Sequence, residues 1–112
     1  MGHQPNRAKL AKALAIGALC VAAPAFAAEI AISQANQTFS STALNLHTGD
    51  RISFRNDDSV THNITVKTAE GEAVDLGLQK PGGAVSYQFA SKGSYRVVCS
   101  IHPRMKMVVI VQ

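Results

Sequence analysis

From Glu29 onward the chain reads as short runs of alternating apolar and polar residues, separated by clusters of turn-forming residues. No segment in this stretch holds a helical period. Strict alternation puts successive side chains on opposite faces of a strand, so each run buries one face and wets the other. In Arg51–Arg55, Ile52 and Phe54 fall on one face and Arg51, Ser53 and Arg55 on the other. The remaining runs are Glu29–Ser33, Thr42–Leu46, Asn63–Lys67, Ala84–Phe89, Ser94–Cys99 and Met107–Val111. Thr48-Gly49-Asp50, Asn56–Ser59 and Ser91-Lys92-Gly93 supply turns between them. Residues 68–83, with four glycines and Pro81, read as irregular. About seven or eight short strands at spacings near ten residues predict an all-β fold, a small sandwich or barrel.

The front of the chain is of a different kind. Arg7, Lys9 and Lys12 lie in a segment without acids, residues 13–23 are an unbroken run of small apolar residues, and Ala25-Phe26-Ala27 has the A-x-A form of a cleavage site. This is the pattern of a secretory signal peptide over residues 1–27, leaving a mature domain of residues 28–112. The apolar run is too short to cross a bilayer core of about 30 Å as a helix, so no membrane attachment is expected after cleavage. Leu19 before Cys20 argues against a lipoprotein site, and the absence of a paired arginine favours general secretory export to the periplasm. Removing the leader also removes most of the formal charge of +4, because residues 28–112 hold eight Lys or Arg against seven Asp or Glu. The basic character belongs to the leader, and a nucleic-acid partner loses its electrostatic support.

Of the two cysteines, Cys20 leaves with the leader and Cys99 remains. A single thiol in an oxidising compartment can form no internal disulfide. Burial, an intermolecular bridge or ligation would each account for it, and its neighbours discriminate. His102 follows at +3 and Met105 at +6, and His62 lies 37 residues upstream where a loop re-enters a strand. In a sandwich, a loop end and a strand end so placed can meet at one pole. One Cys, two His and a Met are the ligand set of a blue-copper site, a trigonal His₂Cys arrangement with a long, weak axial Met. Soft sulfur suits Cu(I) and imidazole accepts Cu(II), so a rigid compromise geometry lets the ion change oxidation state with little movement. Tyr95, Val97 and Cys99 share one parity and are expected to face inward. Asn63, directly after His62, is placed to tie the upstream loop to the cysteine loop through its side-chain amide.

The segment Gly93-x-Tyr95-x-x-x-Cys99-x-x-His102-x-x-Met105 resembles the C-terminal signature of the plastocyanin/azurin-like cupredoxins. Phe54, Asn56, Asp58, His62 and Asn63 resemble the same family's first-ligand region. The resemblance implies a cupredoxin-like Greek-key β-sandwich over residues 28–112 with one type 1 copper, held by His62, Cys99, His102 and Met105. It also implies a monomeric, non-enzymatic electron carrier that docks redox proteins near a partly exposed His102. The axial position stays open between two methionines. The two-residue gap after His102, with Pro103, is similar to amicyanin and selects Met105, whereas the longer gap of plastocyanin and pseudoazurin would select Met107. Arg104 stands where amicyanin-like chains tend to carry a hydrophobic residue. A cation there would favour Cu(I) and a partner with an acidic rim.

The other polar residues read plainly. His47 is expected to face solvent beside its turn, and Asp57 and Asp58 to be ordinary turn residues. Arg51, Arg55 and Arg96 read as solvated strand surface. A copper storage, delivery or sensing protein would use the same ligands, but the chain has no Met- or His-rich tract. A multicopper enzyme would need further histidine clusters, and the mature chain has three His. Zinc also accepts Cys and His, which makes it a competitor for the site.

Overall fold

The computed structural model describes residues 27–112, so all but the last residue of the expected leader lies outside the described residues. Nine strands follow one another: β1 Glu29–Ala35, β2 Thr38–Phe39, β3 Ala43–Leu46, β4 Arg51–Asn56, β5 His62–Thr68, β6 Ala73–Gln79, β7 Ala84–Gln88, β8 Gly93–Cys99 and β9 His102–Val111. They form a four-stranded sheet in the order β2-β1-β4-β7 and a five-stranded sheet in the order β3-β9-β8-β5-β6. Among the described residues there is no helix.

Two pairs are parallel, β1 with β4 and β3 with β9, and the rest are antiparallel. Parallel neighbours need a connection that leaves the sheet, and here consecutive strands such as β3 and β4 lie in different sheets. This crossing is what makes the sandwich a Greek key. Alternation sets the core: Ile52 and Phe54 of β4, Ile64 and Val66 of β5, Val97 of β8 and Val109 of β9 are fully buried between the sheets. Tyr95, Val97 and Cys99 all face inward, as their shared parity predicts.

Three expectations need correction. Residues 68–83 are not irregular throughout, because Ala73–Gln79 forms β6. It is an edge strand whose residues are mostly exposed, and its register with β5 shifts between Asn63 and Thr65. Gly77 at a φ of 91° sits in that irregularity, as an extra residue in a bulge requires. The short strand β2 was not expected either. It pairs with β1 across Asn36 and Gln37, both at positive φ, which is the two-residue primed hairpin turn made without glycine. The last strand starts at His102 and not at Met107, because β9 runs directly out of the turn that follows Cys99.

The loops gather at two poles. At one, the backbone N–H of Asn56 donates to Gly83 and that of Gly82 donates to Asn56, tying the β6–β7 turn to the end of β4. At the other, the Asp50 carboxylate accepts from the backbone N–H of His47 at 2.8 Å and of Ala28 at 3.0 Å. His47 is exposed there, as expected.

Candidate metal centre

His62 opens β5, Cys99 closes β8 and His102 opens β9, so three element ends of one sheet deliver the three side chains. Asn56 builds the loop that leads to His62. Fully buried, it donates its side-chain amide to the Val60 and Gln79 carbonyls and accepts the Asp58 N–H. That pattern is an Asx turn, in which a short polar side chain replaces backbone hydrogen bonding. Asp57 N–H donates to the Gln34 carbonyl, fixing the loop to β1.

His62 Nδ1 lies 3.1 Å from His102 Nδ1, and Cys99 Sγ lies 3.9 Å and 3.7 Å from these two atoms. Among the described residues this is the group of three His, Cys, Asp or Glu side chains that could hold an ion. The centre of such a triangle lies about 2 Å from each corner, the bond length of a first-row ion to imidazole nitrogen and slightly short of that to thiolate. The donor set therefore fits a metal without rearrangement. His62 and Cys99 are buried, and His102 alone of the three reaches solvent.

The outer nitrogen of each imidazole decides what the inner one can do. His62 Nε2 faces Asp58 Oδ2 at 2.9 Å. A carboxylate only accepts, so Nε2 carries the proton and Nδ1 turns its lone pair toward Cys99 and His102. The Gln37 backbone N–H, donating at 2.8 Å, and the His62 ring hold Asp58 down at about 2. Asp58 is thus more than the ordinary turn residue the sequence suggested. Its composition is that of any Asn-Asp turn, and only the four-residue offset to His62 hinted at the contact.

Asn63 behaves as expected and does more. Its Oδ1 accepts the Ser100 N–H at 3.2 Å and the Thr65 hydroxyl at 2.8 Å. Its Nδ2 donates to Asp75 Oδ1 and to the Gly77 carbonyl. Its backbone N–H points at Cys99 Sγ from 3.3 Å, a contact that stabilises charge on sulfur. One side chain therefore binds the cysteine turn, the β6 bulge and β5 together.

Met105 and Met107 are both 1% exposed and share the inward parity of β9. Val98 pairs with Lys106 and Val97 with Met107, after which the register shifts and Cys99 pairs with His102. Met107 thus sits beside Val97 in the core. The unshifted register would set Met105 level with Cys99, one inward step closer to the pole. Arg104 is exposed in the bulged segment between His102 and Met105.

The sequence matches the model of the copper-binding proteins of the plastocyanin/azurin family over residues 26–112. It is 37% identical over 65 residues to the methylamine utilization protein MauL of Methylophilus methylotrophus, which covers 56% of this chain but only 37% of that longer protein. It is 28% identical over 102 residues to amicyanin-alpha of Methylorubrum extorquens, covering 89% of this chain and 86% of that one. The fold superposes on an oxidised proline-to-alanine variant of amicyanin with a TM-score of 0.69 at 26% identity, covering 78% of this chain and 90% of that one. A purple cupredoxin from Nitrosopumilus maritimus shares the fold with a TM-score of 0.65 at 24% identity, covering 74% of this chain and 99% of that one.

Proposed function

The chain belongs to the plastocyanin/azurin family of copper-binding proteins, and from that premise we propose that it is a periplasmic one-electron carrier whose copper is held by His62, Cys99, His102 and Met105. Members of this family carry electrons and are not enzymes. The observation that carries the reading is the triangle of two imidazole nitrogens and one sulfur at the ends of β5, β8 and β9. When bound, a single copper ion supplies a one-electron couple between Cu(II) and Cu(I).

The chain's own residues do the rest. Asp58 fixes the tautomer and orientation of His62. Asn63 holds the Cys99 turn in place and offers its N–H to the sulfur. These contacts come from strands and a buried amide, so they resist movement when the charge at the centre changes. Register favours Met105 as the axial ligand and leaves Met107 as core packing. His102, partly exposed, is the edge that redox proteins approach. Export follows from the leader, with the cut after Ala27.

The test is to add Cu(II) to the protein starting at Ala28 and record visible and EPR spectra. An intense thiolate-to-copper band is expected, lost in Cys99→Ser, altered in Met105→Leu and unaltered in Met107→Leu. A colourless product ends the proposal, and a spectrum that responds to Met107 and not to Met105 reassigns the axial ligand. Retention of Cu(I) against a chelator separates a carrier from a copper-delivery protein, which would release it.

A further inference from the structure

The outer face of the five-stranded sheet is cationic next to the metal centre. Lys67 pairs directly with Arg96 across β5 and β8, and Val98 in the neighbouring row is flanked by Thr65 and Lys106. Like charges directly opposite each other in a sheet are destabilising. No ion pair takes them up: among the described residues, the ion pairs are His47–Asp50, Arg55–Asp57 and His62–Asp58, and the Asp75 carboxylate, opposite Thr65 on β6, is held by the Asn63 amide and the Gly77 N–H. After Asp75 the sequence contains Lys80, Lys92, Arg96, Arg104 and Lys106 and not one Asp or Glu.

Three of the cations line a concavity. Lys67, Arg96, Lys106, Val98, Ser100 and Pro103 border a groove of about 290 Å³ whose wall includes Cys99. A second hollow continues it past Lys67 and Arg96 to Ser94 and the β5–β6 turn. There the positive stretch stops, because Glu70 and Glu72 occupy that turn and Asp75 lies on the neighbouring edge strand. The patch is therefore bounded, on a domain whose eight basic residues nearly balance its seven acidic ones.

We propose that this groove seats an acidic protein, a redox partner presenting a compact cluster of carboxylates. The inference rests on the carrier reading above, which supplies the need for a redox partner. The groove supplies the partner's chemistry and places it beside Cys99, around the corner from the His102 edge. A bounded positive patch fits a bounded acidic one. A long polyanion such as a nucleic acid, or an extended anionic membrane, would also meet Glu70 and Glu72 at the end of the groove and gain little.

The experiment titrates the ¹⁵N-labelled, Cu(I)-loaded protein with an octaglutamate peptide. Backbone amide shifts are expected at Lys67, Arg96, Val98 and Lys106, and added salt should abolish them. Lys67→Gln with Arg96→Gln and Lys106→Gln should weaken binding by about tenfold or more, whereas Arg51→Gln with Arg55→Gln should leave it unchanged. Lys67→Gln alone should weaken binding less and raise the thermal midpoint, since it removes one of two opposed charges. Shifts scattered over all the cations, or a triple variant that binds like the parent, overturn the proposal. So does tighter binding to duplex DNA or to phosphatidylglycerol vesicles than to the peptide. The blue absorption of each variant is read separately: a blue parent without groove shifts sinks the groove alone, and a parent that never turns blue sinks the carrier reading.

Discussion

Asp58 is the residue through which the rest of the loop acts on the metal centre. It spans the Gln37 amide on one side and the His62 ring on the other. Asp58→Asn keeps the shape and removes the charge, and an outer-shell partner of this kind contributes about 10–100-fold in metal affinity. Copper affinity is expected to fall within that range in a competitive chelator titration, with the blue band retained. The midpoint potential is expected to rise, because a nearby negative charge favours the more positive Cu(II). At this scale the sequence was legible where chemistry is rare. A thiol with His102 and Met105 at fixed offsets has few other uses, and Asn63 stood out by adjacency. Asp58 was not legible, because Asp in a turn is common and its function depends on where the His62 ring points. Nor could the sequence show that Gln37, a residue of the β1–β2 turn, donates to the same carboxylate.

Elements were legible where both alternation and burial were strong. β4, β5 and β8 announce themselves because every second side chain must be apolar. β6 did not, because an edge strand is exposed on much of its surface and Gly77 interrupts its period. β2 did not, because its turn uses Asn36-Gln37 where Gly would be the clear signal. The two turns respond oppositely to substitution. Gln37→Gly removes the cost of a left-handed conformation while keeping the N–H on Asp58, and should stabilise the domain by up to about 1 kcal/mol. Gly77→Ala forces a Cβ into a positive-φ bulge and should cost about 1–2 kcal/mol. Since the Gly77 carbonyl accepts from Asn63, that variant should also disturb the copper spectrum, which Gln37→Gly should not. Thermal unfolding would resolve both, at about 4–8 °C per kcal/mol for a domain of this size.

Across the whole molecule, the convergence of His62 with Cys99 depends on sheet order. Alternation predicts strands without saying which are neighbours, and the pairing of β5 with β8 is what closes a gap of 37 residues. The acids are also arranged collectively. Backbone and side-chain hydrogen bonds lower Asp50, Asp57, Asp58 and Asp75 below the ordinary value of 3.8. In that range the unfolded chain binds more protons than the folded one, so stability is complete above the ordinary value and lost as pH falls. The urea midpoint of the copper-free protein should therefore decline from near pH 4 down to about pH 2, where Asp58 titrates. Asp50 sits apart from the others, at the pole away from the metal, with the Ala28 nitrogen 3.0 Å from Oδ1. While Ala27 is attached, that nitrogen is a neutral amide. In a chain that begins at Ala28 the same nitrogen is an ammonium already aimed at a carboxylate, a latch that a chain keeping Ala27 can only rest against. A chain beginning at Ala28 should melt higher than one that keeps Ala27, and the gap should vanish in Asp50→Asn and fade once the new amine loses its proton above about pH 8.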